Sequence, residues 1–532
     1  MATIKVLVSD PLSKEGIDIL KDNGFKVEEV SKLSEDEVAK KIKGYDAIIV
    51  RSGTTVTEKI IKAADRLKVI GRAGVGLDNV DVAAASKKGI IVMNAPAGNT
   101  ISTAEHAFSL MLSLSRNIPQ ANQSTKQGKW DRKKFMGVEL YGKTLGIIGL
   151  GRIGAEFAKR ALSFGMRIVA FDPFLSEEKA KSLKVEPVDL NALLEKSDFI
   201  TIHTPLTEET RHLLDDKAFN KMKKGVRIVN AARGGIIDEE ALAKHLKSGK
   251  VSGAALDVFE TKKKPPVDSP IIDMEKVITT PHLGASTEEA QVNVAIDIAR
   301  SVSDALLGRG FRNAANVPAM EEEALKAVQP YVNLAERLGS IQSQLISEPI
   351  RSITVKYIGE VADIDVAVIT RALMKGIFDP ILEEDVNYVN ALLIAKERGI
   401  KITEKKTSKI TDFANLISVE FDTGKKKHFI MGTLFANKDA RIVKMDEFYV
   451  EAIPDGYMLV VSNNDVPGVV GQLGTLLGKH GINIAEMSFG RDKKTGKAIS
   501  LLNVDSEVSD ALLKKLRCVK DINDVKRVRV MI

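Results

Sequence analysis

A single cysteine, Cys518, stands in 532 residues. That excludes an intramolecular disulfide framework and any multi-cysteine metal site, and it suits a reducing compartment. There is one tryptophan, and aromatic residues are only 5% of the chain, too few for base-stacking platforms. No apolar run approaches the ~20 residues that span a bilayer, so no membrane partner is expected. The opening Met1 to Val8 meets Ser9-Asp10-Pro11 at once, which is not the pattern of a secretory signal. Charge is nearly balanced at +7. So mild an excess suits an acidic small molecule and argues against a nucleic-acid partner, which asks for a concentrated basic patch. What is present is 44% hydrophobic and 28% charged, enough to bury sizeable cores. At roughly 150 residues per domain the length implies several domains. The expectation is a cytoplasmic, multidomain, globular protein with no metal centre.

The first 95 residues alternate short β-branched runs with polar, helix-like stretches. Ile4 to Val8, Ala47 to Val50, Val69-Ile70 and Ile90 to Met93 read as buried parallel strands; Lys14 to Asp22 and Glu35 to Lys43 read as helices. Ser102 to Ser115 predicts a long helix. The βαβ rhythm then restarts, with strands at Thr144 to Gly149, Arg167 to Phe171, Phe199 to His203, Val226 to Asn230, Gly253 to Asp257 and Val277 to Thr280. Ser286 and Glu289 have capping-box spacing, so a helix is expected from there to about Leu307. Beyond Asn316 to Ala319 the pattern changes. Leu325 to Ile346 predicts a helix, and Ser352 to Tyr357, Leu416 to Phe421 and Lys427 to Leu434 predict strands. After Pro454-Asp455-Gly456 the order reads β-α-β-β-α-β.

Thr144 to Gly154 is an apolar strand running into Gly149-Leu150-Gly151-Arg152-Ile153-Gly154 and a helix. Gly149 permits the tight turn, Gly151 lets the backbone approach a pyrophosphate, and Gly154 lets helix and strand pack closely. The next strand ends in Phe171-Asp172-Pro173. Asp172 stands near the position of a ribose-binding acid, and a carboxylate there repels a 2′-phosphate. The cofactor is therefore NAD rather than NADP.

Three sites follow predicted strand ends: Asn230 to Gly235, Asp257 to Glu260, and Pro281 to Ser286. Ligands of doubly wound sheets bind at the carboxyl ends of strands, so one crevice can collect all three. Their chemistry suits oxidation of a 2-hydroxy acid. Arg233 would hold a carboxylate in a bidentate fork, and His282 would remove the hydroxyl proton as hydride leaves for a nicotinamide. A carboxylate beside His282 would fix its tautomer; Glu260 is the nearest in sequence. His106, His203, His212 and His245 read as structural histidines, with His203-Thr204-Pro205 also placed to line the cofactor.

With these residues in view the chain resembles the D-2-hydroxyacid dehydrogenase family, in its long form with a C-terminal ACT domain. The resemblance rests on Arg72 to Asp81, Gly128 to Gly137, Gly149 to Gly154, Ala232 to Gly235 and Pro281 to Ser286, and it covers essentially the whole chain. It implies two Rossmann-like doubly wound parallel-sheet domains, an α+β intervening domain and a ferredoxin-like ACT domain. The implied divisions are 1–97 with 290–315 for substrate, 98–289 for NAD, 319–453 intervening, and 457–532 regulatory. It implies NAD contacts at Gly149, Gly151, Arg152, Ile153, Gly154, Asp172, His203, Thr204, Pro205, Ala231, Ala232, Arg233, Asp257, His282, Gly284 and Ala285. Arg51, Ser52, Gly74, Val75, Asn99, Arg132 and Lys133 would surround the substrate, which in this form is 3-phospho-D-glycerate, oxidised to 3-phosphohydroxypyruvate at the entry to L-serine synthesis. The chain departs from the family at Phe259 to Pro265. This segment is longer than usual, and lysines 262–264 occupy the place of the family's catalytic glutamate.

In the tail, Asn463 to Gly468 and His480 to Ala485 carry the ACT resemblance. It implies an effector site for L-serine at Asn463, Asp465 and Asn483, and a homo-oligomer, dimer or tetramer, paired through the edge of this module. Two rivals stand beside this reading: a dehydrogenase for an unphosphorylated acid such as glycerate or glyoxylate, and an NAD-binding sensor with weak catalysis.

Overall fold

The computed structural model describes residues 3–261, 265–383, 385–409 and 413–530. It contains four sheets. The first is parallel, in the order Lys26–Glu29, Lys5–Val8, Ala47–Val50, Val69–Arg72, Ile91–Asn94. All four residues of Ala47–Val50 are buried, as a central parallel strand covered on both faces requires. Each such Val or Ile stabilises the fold by roughly 1.5–3 kcal/mol.

The second sheet is also parallel: Val277–Thr279, Val251–Leu256, Val226–Asn230, Phe199–Ile202, Thr144–Ile148, Arg167–Phe171, Glu186–Pro187. The chain enters at Thr144–Ile148, builds outward to one side, then returns to build the other. The strand order reverses beside Thr144–Ile148, and that switch point opens a crevice at the carboxyl ends.

Two long helices cross between these sheets. Thr100–Arg116 packs on the second, where Phe108, Met111 and Leu114 share a core with Leu145, Ile147 and Val229. Glu288–Leu306 returns to the first, where Val294, Ile298 and Val302 join Val6, Val8 and Val69. Its approach is close: a Cβ on Gly71 would lie 2.7 Å from Val302 Cγ2. This helix begins one residue later than the capping-box spacing implies. Thr287 is the N-cap, and its hydroxyl accepts from the Ala290 N–H.

The third sheet is mixed: Lys401–Thr407, Ser352–Gly359, Asn415–Asp422, Lys427–Phe435, Asp439–Met445, Phe448–Ala452. Helices Glu322–Leu345 and Ala367–Phe378 cover it. The fourth is antiparallel: Ile484–Asp492, Lys497–Val504, Gly456–Asn464, Ile522–Val530. Helices Val469–Lys479 and Asp510–Arg517 cover one face through Leu473, Leu477, Leu512 and Leu516. Its other face sends Met458, Leu501 and Val528 into the core of the third sheet's unit.

Each edge strand of this last sheet makes a side-chain contact inside the chain. At Ile522–Val530, the Gln344 amide accepts from Arg529 N–H and donates to Arg529 C=O, 2.9 Å each, in the manner of a neighbouring strand. At Ile484–Asp492, Ser488 Oγ accepts from Glu451 N–H at 2.9 Å, and a Cβ on Gly490 would lie 2.7 Å from Phe448 Cβ.

Candidate active site

The carboxyl ends of the second sheet's strands meet the first sheet's loops around a cavity of about 360 Å³. The NAD-binding side of its wall is Ile153, His203 to Pro205, Ala231 to Arg233, His282, Gly284 and Ala285; the opposite side includes Val75 and Asp78, and Asn99 stands at the start of the crossing helix Thr100–Arg116. The sequence thus brings Arg233 and His282 into one cleft. Both also border a second cavity of about 450 Å³, with Asp257, Phe259, Thr261 and Pro265.

The cofactor turn is built as its glycines imply. Gly149 has φ +89°, and a Cβ there would lie 2.8 Å from His203 O. A Cβ on Gly154 would stand 2.2 Å from Gly149 O, so only glycine lets the helix Arg152–Ser163 start this close to the strand. Gly151 is its N-cap, faces open space and offers no side-chain cap, which leaves first-turn N–H groups for phosphates. Asp172 accepts from Leu150 N–H and Phe174 N–H, 2.8 Å each, fixing its carboxylate beside the turn. Thr204 Oγ1 and Asn99 Oδ1 are buried without a hydrogen-bond partner among the described residues, and both belong to residues lining the cleft. Such orphaned groups, with a turn that excludes Cβ atoms, fit a dinucleotide.

His203 contributes backbone rather than imidazole chemistry. Its ring leans on Phe157 and bonds Thr201 Oγ1 at 3.0 Å, and burial drives its pKa down to about 3. Asp257 is fully buried. Its Oδ1 accepts from Leu283 N–H at 2.8 Å and Thr280 Oγ1 at 2.5 Å, and its Oδ2 from Gly284 N–H at 2.9 Å. Burial pushes this carboxyl up, but the bonds from His106, Thr280 and Leu283 outweigh it and hold it below the ordinary range. The aspartate therefore anchors the loop on which His282 sits at φ +61°, a left-handed conformation that few side chains adopt unsupported.

The comparisons extend this reading along the whole chain. Residues 108–284 match the NAD binding domain of the D-isomer specific 2-hydroxyacid dehydrogenases. Residues 327–446 match the D-3-phosphoglycerate dehydrogenase intervening domain, and 457–517 an ACT domain. D-3-phosphoglycerate dehydrogenase of Archaeoglobus fulgidus is 46% identical over 99% of this chain and 100% of its own. The Bacillus subtilis protein of that name is 46% identical over 98% of this chain and 99% of its own. The chain belongs to the D-3-phosphoglycerate dehydrogenase family. It is also similar to Aquifex aeolicus D-lactate dehydrogenase complexed with NAD and lactic acid: 30% identity, TM-score 0.51, covering 57% of this chain and 96% of that one. This family membership makes the enzyme an NAD-dependent oxidoreductase.

Not every expected site residue faces the cleft of this dehydrogenase. Glu260 does not turn to His282. Its Oε1 and Oε2 lie 2.9 and 3.1 Å from His212 Nε2, and Oε1 also takes Arg211 Nη2 at 2.9 Å. Glu239, at the start of the helix Glu239–Lys247, accepts the Glu260 N–H at 2.7 Å and the Ser269 hydroxyl, and the Glu260 side chain meets Arg211 and His212. Lysines 262–264 lie outside the described residues. Arg132 and Lys133 are exposed on the loop after the helix Ile118–Lys126 and line neither cavity. Arg51 borders a smaller pocket with Ser13 and Gln291, its Nη1 on Pro11 O at 3.3 Å, and Ser52 beside it is exposed. Arg152 is likewise exposed.

Sequence reasoning missed Arg72. It ends the strand Val69–Arg72, and its Nε is buried without a partner among the described residues. Burial first, then the nearby Arg233, draws its pKa below the ordinary arginine range. Gly74 makes room for it: a Cβ there would fall 1.5 Å from Arg72 Nη1. The signal was the strand-end arginine beside a glycine in Arg72-Ala73-Gly74.

In the ACT domain the three expected effector residues are each engaged within the chain. Asn463 is buried and donates to Asn464 O at 2.7 Å. Asp465 takes Arg491 Nε at 2.8 Å, and Asn483 donates to Asp505 Oδ2 at 2.8 Å.

Proposed function

We propose that the chain interconverts 3-phospho-D-glycerate and 3-phosphohydroxypyruvate with NAD, the first step of L-serine synthesis. The observation that carries this reading is that Arg233 and His282 line one cleft, with Arg72 an electrostatic neighbour of Arg233. A substrate bearing both carboxylate and phosphate suits so cationic a cleft. Residues 1–97 with 290–315 form the substrate side, 98–289 the NAD side, 319–453 the intervening domain and 457–532 the regulatory one.

Arg233 binds the substrate carboxylate and sets the C2 carbon over the cleft floor. His282 takes the C2 hydroxyl proton during oxidation and returns it during reduction. NAD, when bound, accepts the hydride. Asn99 and Thr204 supply polar groups to the bound pair, and closure of the two sheets about the crossing helices excludes water.

L-serine is the effector at Asn463, Asp465 and Asn483, and the enzyme works in the cytoplasm as a homo-oligomer, dimer or tetramer. Among the described residues no helix is long and apolar enough to cross a membrane.

The test is NADH oxidation with 3-phosphohydroxypyruvate beside hydroxypyruvate, with L-serine titrated in. The expected result is turnover that depends on the phosphate and falls with serine. Equal turnover of hydroxypyruvate would instead establish an enzyme for unphosphorylated acids, and NADH binding without turnover a sensor.

A further inference from the structure

The loop that carries His282 hangs from both crossing helices. From Thr100–Arg116, Thr103 Oγ1 donates to Gly284 O at 3.1 Å. From Glu288–Leu306, Gln291 Nε2 donates to Ala285 O at 2.6 Å. Asp257 supports it from below through the Leu283 and Gly284 N–H groups. His106 stands three residues after Thr103, on the same helix face. Its Nε2 lies 3.2 Å from Asp257 Oδ1 and 3.2 Å from Thr280 Oγ1. Asp257 has no exposed surface, so water cannot replace a donor it loses.

We propose that His106 is a positioning residue: its Nε2–H completes the donor set on Asp257 and thereby keeps His282 aimed into the cleft. Either the Nε2-protonated imidazole or the imidazolium supplies that donor, so the role is hydrogen bonding and not proton transfer. His106 borders neither cavity that Arg233 and His282 share. Its influence on turnover must therefore pass through Asp257 and the loop. The inference rests on the assignment of proton transfer to His282.

The test compares full-length His106→Leu and His106→Gln with wild type. Glutamine keeps an N–H at similar reach; leucine keeps volume alone. For 3-phosphohydroxypyruvate reduction, His106→Leu is expected to lose about tenfold in kcat, with KM and NADH Kd within about threefold, and glutamine to recover most of the loss. Hydrogen exchange of the Leu283 and Gly284 amides is expected to quicken by about tenfold in the leucine variant and return in the glutamine one. Unchanged kcat in His106→Leu overturns the proposal. So does a loss that appears in NADH site number, or one that glutamine leaves uncorrected. A wild-type enzyme that binds NADH without turnover sinks the assignment of His282 instead. Amide exchange then decides the His106 contact alone, and unaltered exchange overturns it.

Discussion

Arg233 reaches across the cleft to Asp78, with Nε 3.2 Å from Oδ2. Asp78 thus occupies a position that a substrate carboxylate would claim. The Asp78 side chain is 72% exposed, so the pair contributes no more than about 1 kcal/mol. A Cβ on Gly76 beneath it would lie 2.0 Å from Arg233 Nη2, so a side chain there would shift the guanidinium. In the proposed role of Arg233, a substrate carboxylate approaching the Nε edge of the guanidinium competes with Asp78. Asp78→Asn is therefore expected to lower KM for the keto acid by up to about fivefold with kcat little changed. Steady-state kinetics check it, and a raised KM would show that Asp78 helps to aim Arg233.

The Arg233 loop has a second constraint, at Gly234. A Cβ there would fall 1.8 Å from Phe259 O. Gly234→Ala must push the loop away from Phe259, and overpacking of this kind costs about 1–3 kcal/mol. A displacement of about 1 Å in a positioning group can cost about 100-fold in rate. We expect kcat/KM to fall by about that factor while NADH affinity holds, measured by fluorescence titration.

The two N-terminal sheets were legible because their signals are local. Buried runs such as Ala47 to Val50 and Val226 to Asn230 read directly as strands, and Gly149, Gly151 and Gly154 announce the phosphate turn. Arg233 and His282 were legible because strand ends in such a sheet share one crevice. What escaped depends on long-range partners. Lys26–Glu29 is polar and short, a strand only because it pairs with Lys5–Val8. Glu260 is close to the chemistry in sequence, yet its carboxylate is taken by Arg211 and His212, some fifty residues back. The contact of Gln344 with Arg529 at one edge of the ACT sheet joins residues nearly two hundred positions apart. Arg72 reads in sequence as a strand terminus, and its burial and the nearness of Arg233 belong to the folded chain.

Asp172, as the proposed ribose-binding acid, is expected to select the cofactor through charge as well as hydrogen bonds. Its two oxygens already hold Leu150 N–H and Phe174 N–H, and each keeps a lone pair for a ribose hydroxyl. Asp172→Asn preserves the shape and removes the repulsion of a 2′-phosphate. The preference for NADH over NADPH, read as the ratio of kcat/KM values, is expected to narrow by about 10- to 100-fold. An unchanged ratio would place the discrimination elsewhere on the loop after Phe171.

His203 predicts an acid weakness in the NAD-binding sheet. Its pKa in the folded protein is about 3 because burial disfavours the imidazolium. In the unfolded chain it returns to about 6.5. Between these values the unfolded state binds a proton that the folded state refuses, so stability must fall as pH drops. The contribution is whole above about pH 6.5 and declines by up to about 1.4 kcal/mol per pH unit below it. His203→Gln keeps a polar partner for Thr201 and cannot titrate. Its unfolding midpoint between pH 6 and pH 4, followed by urea titration at each pH, is expected to fall less steeply than that of wild type by about that slope. Parallel pH profiles would mean that His203 reaches solvent and takes up its proton without unfolding.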